Sequence, residues 1–251
     1  MRTFIKLLGA SALMFSVFVQ TAQASVVVAG TRIIFSSEQR EATIKVSNEG
    51  DSPSLVQTWL DNGEIDASPD TIDVPFTLTP AMFRLDPGKG QTLRMIYSKA
   101  PLAQDKETLF WLNVLEIPPK LKMQQDDANQ LQMAFRTRIK VFFRPATLEG
   151  KAADSPAKVT WQLIRSAGAT GYELKAMNPT PYFVNLGNVE LKVAGKRLEA
   201  GSGYIKPGES QLFPVKGLNS LPPSGSEVEY NAINDFGAGV RAQAQLKSIS
   251  Q

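Results

Sequence analysis

Residues 131–145 read LQMAFRTRIKVFFRP, and the alternation in this stretch decides the fold. Leu131, Met133, Phe135, Ile139, Val141 and Phe143 fall on odd positions. Gln132, Arg136, Arg138, Lys140 and Arg144 fall on even ones. A period of two is the mark of a strand with one apolar and one polar side. The run exceeds the usual strand length of about six residues. It therefore predicts a long strand with much apolar surface on one side and a row of cations on the other.

Shorter runs of the same kind recur outward from it. Upstream they occupy residues 26–35, 42–47, 55–60, 76–79, 91–97 and 109–117. Turn clusters such as Asn48-Glu49-Gly50-Asp51, Asp61-Asn62-Gly63 and Asp86-Pro87-Gly88-Lys89-Gly90 divide them. With 131–143 they are spaced as in an immunoglobulin-like sandwich. Trp59 sits on the third run, where such a sandwich buries a tryptophan, and is expected in the core. Pro145 ends the series. The stretch 146–158, ATLEGKAADSPAK, is small and polar and reads as a domain boundary. Further runs follow at 159–164, 172–176, 182–186, 189–193, 210–215, 228–233 and 240–246. No long amphipathic helix interrupts them. The expected fold class is all-β: two immunoglobulin-like β-sandwich domains, 25–146 and 158–251, joined by a linker at 147–157.

The first 24 residues are expected to be a signal peptide outside this fold. Arg2 and Lys6 form a basic start, residues 7–19 form an apolar run, and Ala22-Gln23-Ala24 forms a small-x-small cleavage site. The run is shorter than a spanning helix, so no membrane insertion of the mature chain is expected. Of 27 Lys and Arg against 24 Asp and Glu, cleavage removes Arg2 and Lys6, leaving 25 against 24. That near-neutral balance gives no footprint for nucleic acid.

The chain has no cysteine and no histidine. Ser-His-Asp and Cys-His catalysis and most zinc sites are thereby excluded. No phosphate-binding, dinucleotide-binding or nucleophile-elbow motif is present. Asp126-Asp127 lies in a polar stretch and reads as a solvated loop. No catalytic residue, metal or cofactor is expected, which leaves binding. Lys140 and Arg144 lie nearest the domain boundary, where a cleft would gather cations around an anion. Arg136 and Arg138 read as the wetted face of the strand. Leu131, Met133 and Phe135 have two readings: they fill the protein's own core, or they protrude from an open strand edge for a partner strand. Periodicity alone leans toward the core.

Longer motifs carry a resemblance. Thr31-Arg32-Ile33-Ile34-Phe35, Glu107-Thr108-Leu109-Phe110-Trp111-Leu112-Asn113, Glu116-Ile117-Pro118-Pro119 and residues 137–145 stand in the first domain. Asn178-Pro179-Thr180-Pro181-Tyr182 and Ile233-Asn234-Asp235-Phe236-Gly237 stand in the second. Over essentially the whole mature chain these resemble the periplasmic chaperones of the chaperone–usher pilus pathway. The resemblance implies an L-shaped pair of sandwiches in the periplasm that binds pilin (fimbrial) subunits and hands them to an outer-membrane usher. It implies that Arg32 and Lys140 bind the pilin's C-terminal carboxylate. Leu131, Met133 and Phe135 then enter the pilin's groove as a donor strand. Glu107, Arg144 and Asp235 match the family's interdomain charge network. A free chaperone of this kind is expected to cap its open edge by self-association.

The short loop 120–130 and the lack of cysteines around the donor strand resemble the family's short-loop branch. Thr79-Pro80-Ala81 departs from the consecutive prolines of many members. A secreted two-sandwich adhesion or carbohydrate-binding protein is the competing reading; exposed aromatic platforms and indifference to Lys140 would favour it.

Overall fold

The computed structural model describes residues 25–120, 132–166, 171–223 and 225–249. The signal-peptide expectation and Leu131 lie outside the described residues. The first sandwich contains β1 (Val26–Val28), β2 (Arg32–Ser36), β3 (Glu41–Asn48), β4 (Ser54–Asp61), β5 (Phe76–Thr79), β6 (Met82–Leu85), β7 (Gly90–Tyr97), β8 (Thr108–Ile117) and β9 (Phe135–Arg144). One sheet has the order β1-β3-β7-β5 and the other β2-β9-β8-β4-β6. Their facing sides enclose one core that includes Phe35, Val46, Val56, Leu93, Leu112 and Val141. Alternation places those residues inward: along β3 the buried residues toward its end are Ile44, Val46 and Asn48. Aromatic rings fill one end of this core. Phe35 meets Phe76 edge-on with centroids 5.3 Å apart, and Phe76 meets Phe110 edge-on at 5.2 Å.

The second sandwich is built from β10 (Thr160–Arg165), β11 (Tyr172–Met177), β12 (Val184–Val193), β13 (Lys196–Ile205), β14 (Ser210–Pro214), β15 (Glu227–Ile233) and β16 (Gly239–Ile249). Hydrogen bonding joins all of them in the order β13-β12-β15-β16-β10-β11-β14. The long β16 is shared: it pairs antiparallel with β15 and parallel with β10. The end strands β13 and β14 lie against each other, so the sheet folds around one core. Trp161 sits at its centre, fully buried, with Tyr230 at 5.3 Å and Phe213 at 5.9 Å.

Several expectations need correction. The run 26–35 is two strands on different sheets, because β1 pairs with β3 while β2 pairs with β9. The strand in 131–145 begins at Phe135. Runs 182–186 and 189–193 merge into β12, with register shifts around Gly187 and Asn188. The stretch 147–157 is not plain linker: it contains a 3-10 turn at Ala152–Asp154 and the start of a helical turn at Ser155–Lys158. Trp59 is half-buried on the outer face of its sheet beneath Arg136, because β4 turns Val56, Thr58 and Leu60 inward. The buried tryptophan is Trp161.

The turn from β15 to β16 is held by Asn234. Its side-chain oxygen accepts the backbone N–H groups of Phe236 and Ala238, each at 3.0 Å. Gly237 sits there at φ +84°, and an added Cβ would collide with the Thr31 hydroxyl of the other domain. Gly208 has φ +71° and nothing near its missing Cβ. Gly208→Ala is expected to cost about 1–2 kcal/mol from backbone strain alone. Gly237→Ala carries that cost plus the collision, so calorimetry should place its unfolding midpoint below that of Gly208→Ala. Equal midpoints would mean that Thr31 simply moves aside.

Candidate functional site

β2 runs parallel to β9 with Arg32 opposite Lys140 and Ser36 opposite Arg144. On its other side β9 pairs antiparallel with β8 over residues 135–143. Residues 135–139 are therefore hydrogen-bonded along one edge only, among the described residues. The odd side chains of β9 change surroundings along its length. Ile139, Val141 and Phe143 are in the core. Phe135 is 41% exposed and Met133, just before the strand, 52% exposed, so neither fills the protein's own core.

The even side carries a different succession. Lys140 Nζ donates to Asn185 Oδ1 at 2.6 Å and lies over the Tyr204 ring at 4.4 Å and the Trp111 ring at 5.6 Å. Arg32 Nη1 donates to the Ile233 carbonyl at 3.3 Å, and its Nε is buried without a partner. Neither cation has a carboxylate within ion-pair distance among the described residues. Burial, and secondarily the charge of Arg32, pushes the Lys140 ammonium down to about 8. Burial also lowers Arg32, with Asp235 offsetting part of the shift. Two partly buried like charges beside neutral acceptors form a site for an anion.

Phe142 lies between Lys140 and Arg144 on this side and packs against Phe183 at 5.5 Å. The neighbouring cavity of about 480 Å³ is lined by Phe142, Phe183, Asn185, Ile233, Phe236 and Val240 among others. Arg144 then joins both domains. Its Nε donates to Glu107 Oε1 at 2.6 Å, and its two terminal nitrogens donate to Asp235 at 2.7 and 2.9 Å. Burial opposes the Arg144 charge, but hydrogen bonds to Asp235 and Glu107 outweigh it and hold the guanidinium more firmly protonated than usual. Glu107 is buried and also accepts the Phe183 N–H at 2.7 Å. The Asn178–Tyr182 turn positions that amide. Asn178 Nδ2 donates to the Tyr182 carbonyl at 2.7 Å, and Asn178 Oδ1 accepts the Thr180 N–H at 3.0 Å. The turn aims the Pro181 carbonyl at the Glu107 N–H, 2.9 Å away.

The structure thus brings Arg32 to Lys140, and Glu107 to Arg144 and Asp235. Met133 and Phe135 stand at the opposite, one-sided end of the strand. Arg136 and Arg138 lie on the outer face of the sheet, as expected, with Arg136 exposed, but both have protein partners that the sequence did not show. Arg138 pairs with the fully buried Asp61, and Arg136 donates to Asn113 Oδ1 at 2.8 Å. Asn185, Tyr204 and Phe183 were invisible from the sequence, since only folding brings the second domain to β9. Phe142 was readable: it breaks the row of cations on the even side. No group of three or more His, Cys, Asp or Glu is placed to hold a metal among the described residues. No described helix is long and apolar enough to cross a membrane.

Comparison with known proteins identifies this architecture. Residues 25–149 match the family model of the pili and flagellar-assembly chaperone PapD N-terminal domain, and residues 154–244 match that of the PapD C-terminal domain. The probable fimbrial chaperone YadV of Escherichia coli K12 is 40% identical over 232 residues, covering 91% of this chain and 93% of that protein. The crystal structure of YadV superposes with a TM-score of 0.76 at 38% identity, over 89% of this chain and all of the other. The Salmonella enterica SafB chaperone, solved in complex with the SafA pilin, superposes with a TM-score of 0.71 at 27% identity, over 90% of this chain and 98% of the other. With both domain models matched in order across the two sandwiches, the chain belongs to the family of PapD-like pilus-assembly chaperones.

Proposed function

We propose that this chaperone holds pilin subunits in the periplasm by donor-strand complementation and delivers them to an outer-membrane usher. The role is binding and assembly, with no reaction catalysed. The observation that carries the reading is the pairing of Arg32 with Lys140, two cations without their own carboxylate, next to a strand whose outer half has one free edge. The pilin's C-terminal carboxylate accepts hydrogen bonds from Arg32 and Lys140. That contact fixes register, because a slip of one residue would turn every side chain to the wrong face. Phe135 and Met133 then enter the pilin groove, with Leu131 continuing the series. Each is worth about 1.5–3 kcal/mol on full burial. The solved pilin complex of the SafB relative supports this reading. Glu107, Arg144 and Asp235 keep the domains at one angle, so the carboxylate site keeps its shape. Free chaperone covers the same edge by self-association.

A charge-assisted hydrogen bond contributes about 1.5–3 kcal/mol. Lys140→Ala is therefore expected to weaken pilin binding by roughly ten- to hundred-fold. Small pilin-like proteins should co-purify with the natural chain from the periplasm of its host and be lost with the variant, as read by mass spectrometry. Partners that stay with the variant at full yield would remove the anchor role from Lys140.

The anchor also predicts a pH dependence. In the free chain Lys140 gives up its proton near pH 8. A bound carboxylate favours the charged ammonium and raises that value. Between the free and bound values, binding takes up a proton, so affinity falls as pH rises past about 8, by up to about tenfold per unit. Lys140→Arg, which stays charged throughout, should flatten the profile. Calorimetry between pH 7 and 10 would show this, and a flat profile for the natural chain would place the titrating charge elsewhere.

Arg144→Gln would leave Glu107 buried beside a neutral partner. Removing one member of a buried pair costs about 3–5 kcal/mol. Thermal unfolding of the variant should show that loss.

A further inference from the structure

The outer face of the β2-β9-β8-β4-β6 sheet holds a second polar assembly, next to the Lys140 site and sharing the Trp111 ring with it. At its centre is Asp61, the last residue of β4, with no exposed surface. Cross-strand register lines up Trp59, Asn113 and Arg138 in one row across β4, β8 and β9, and Asp61, Trp111 and Lys140 in the next. Arg138 reaches diagonally from its row into the other. Its Nε donates to Asp61 Oδ2 at 3.1 Å, its Nη2 donates to Asp61 Oδ1, and its guanidinium lies over Trp111 at 4.2 Å. Asn113 Nδ2 donates to Asp61 Oδ2 at 2.7 Å. Arg136 donates to Asn113 Oδ1 at 2.8 Å and to the Ile65 carbonyl at 2.7 Å, with its guanidinium over Trp59 at 5.0 Å. A turn amide, Gly63 N–H, completes the Asp61 shell at 2.7 Å.

Both arginines stem from the half of β9 that has a neighbour on one side only. A strand with one free edge holds its shape by a single ladder and tends to fray or pair wrongly. Here side chains add a second set of ties, running from β9 across β8 to β4. Two of them are planar guanidiniums stacked on indole rings, which restrains them further.

We propose that Asp61 is a positioning residue for pilin capture. It clamps Arg138 directly, and Arg136 by way of Asn113, so that residues 135–139 stay extended while their outer edge is empty. Asp61 does not touch the pilin. It acts through β9, so that Phe135 and Met133 are already aligned when the groove arrives. The presenting role rests on the donor-strand reading above; the ordering of β9 stands apart from it. Hydrogen bonds from Arg138, Asn113 and Gly63 outweigh the effect of burial and hold the Asp61 carboxyl below its usual range, which keeps the clamp charged.

The test is amide hydrogen exchange and pilin release on the full mature chain carrying Asp61→Asn. The expected result is exchange at residues 135–139 at least tenfold faster, with amides of β3 and β15 unchanged, and pilin release at least tenfold faster. The double variant Asp61→Asn with Arg138→Gln, a neutral amide pair, should recover part of both. Unchanged exchange at 135–139 overturns the proposal. So does acceleration spread evenly over the first sandwich, which is what a merely stabilising residue would give. If Asp61→Asn does not fold, Arg138→Gln in the natural background leaves Asp61 with Arg136 and Asn113 and is read the same way. Whether the natural chain retains pilin at all is the separate check on the donor-strand reading; failure there leaves the exchange pattern to decide whether Asp61 orders the strand.

Discussion

The structure depends on where its first strand changes sheets. β1 completes the sheet with β3, and only after residues 29–31 does the chain cross to lie beside β9. β2 therefore starts at Arg32 and covers β9 only from Lys140 to Arg144. Had the strand stayed on one sheet, residues 135–139 would be paired on both sides and closed to a partner. The crossing leaves a free ladder of backbone groups, and it places Arg32 where that ladder ends. An open edge in a sandwich is an aggregation hazard. Here, among the described residues, it is confined to a short stretch, flanked by arginines on one face and adjacent to the paired cations Arg32 and Lys140.

That site is arranged against the stability of the free protein. Arg32 and Lys140 are neighbours of like charge, and both are held partly out of water. Below about pH 8 the free chain carries the cost of keeping Lys140 charged, and an incoming carboxylate relieves it. The outer-face arginines show the opposite arrangement. Arg138 and Arg136 share the buried Asp61, so their charge is matched within the protein. Along this face of β9 the arginines near the free end and Arg144 at the domain junction are matched within the protein, and Lys140 between them, with Arg32 beside it, has no carboxylate in ion-pair reach among the described residues.

The legible part of this was local. Alternation in 131–145 located β9, and turn clusters separated most of the other strands. Two strands went unseen for physical reasons. β6 has only four residues, Met82 stands on its outward side where alternation would want a polar residue, and it forms because β4 pairs with it. β13 contains Lys196, Arg197, Gly201 and Gly203, and it is tolerated because it is an end strand bonded only to β12. The partner of the two outer-face arginines is not legible, because it is one buried aspartate two strands away and nothing in the spacing of Asp61 announces that. Trp59 lies outward because it shares its strand parity with Leu55 and Gln57, not with Val56 and Leu60. The motif resemblance supplied Arg32 and Lys140. The neutral partners that complete their surroundings come from the second domain, which only folding brings beside β9.

Three alternate residues of β9 connect these layers. Lys140 faces the anion site, Phe142 packs on Phe183, and Arg144 binds Glu107 and Asp235. All three point the same way because the strand period is two. The domain junction and the Lys140 site are therefore set by one register. A shift of β9 by one residue would turn Lys140, Phe142 and Arg144 into the core and bring Ile139, Val141 and Phe143 into the cleft. A shift by two would keep the faces but move Arg144 off Glu107 and Asp235. The buried pair at Arg144 penalises either slip, so it protects the distance from Lys140 to Phe135 and Met133. Strand register, the domain junction and the placing of Lys140 are in this way one constraint, enforced where the two domains meet.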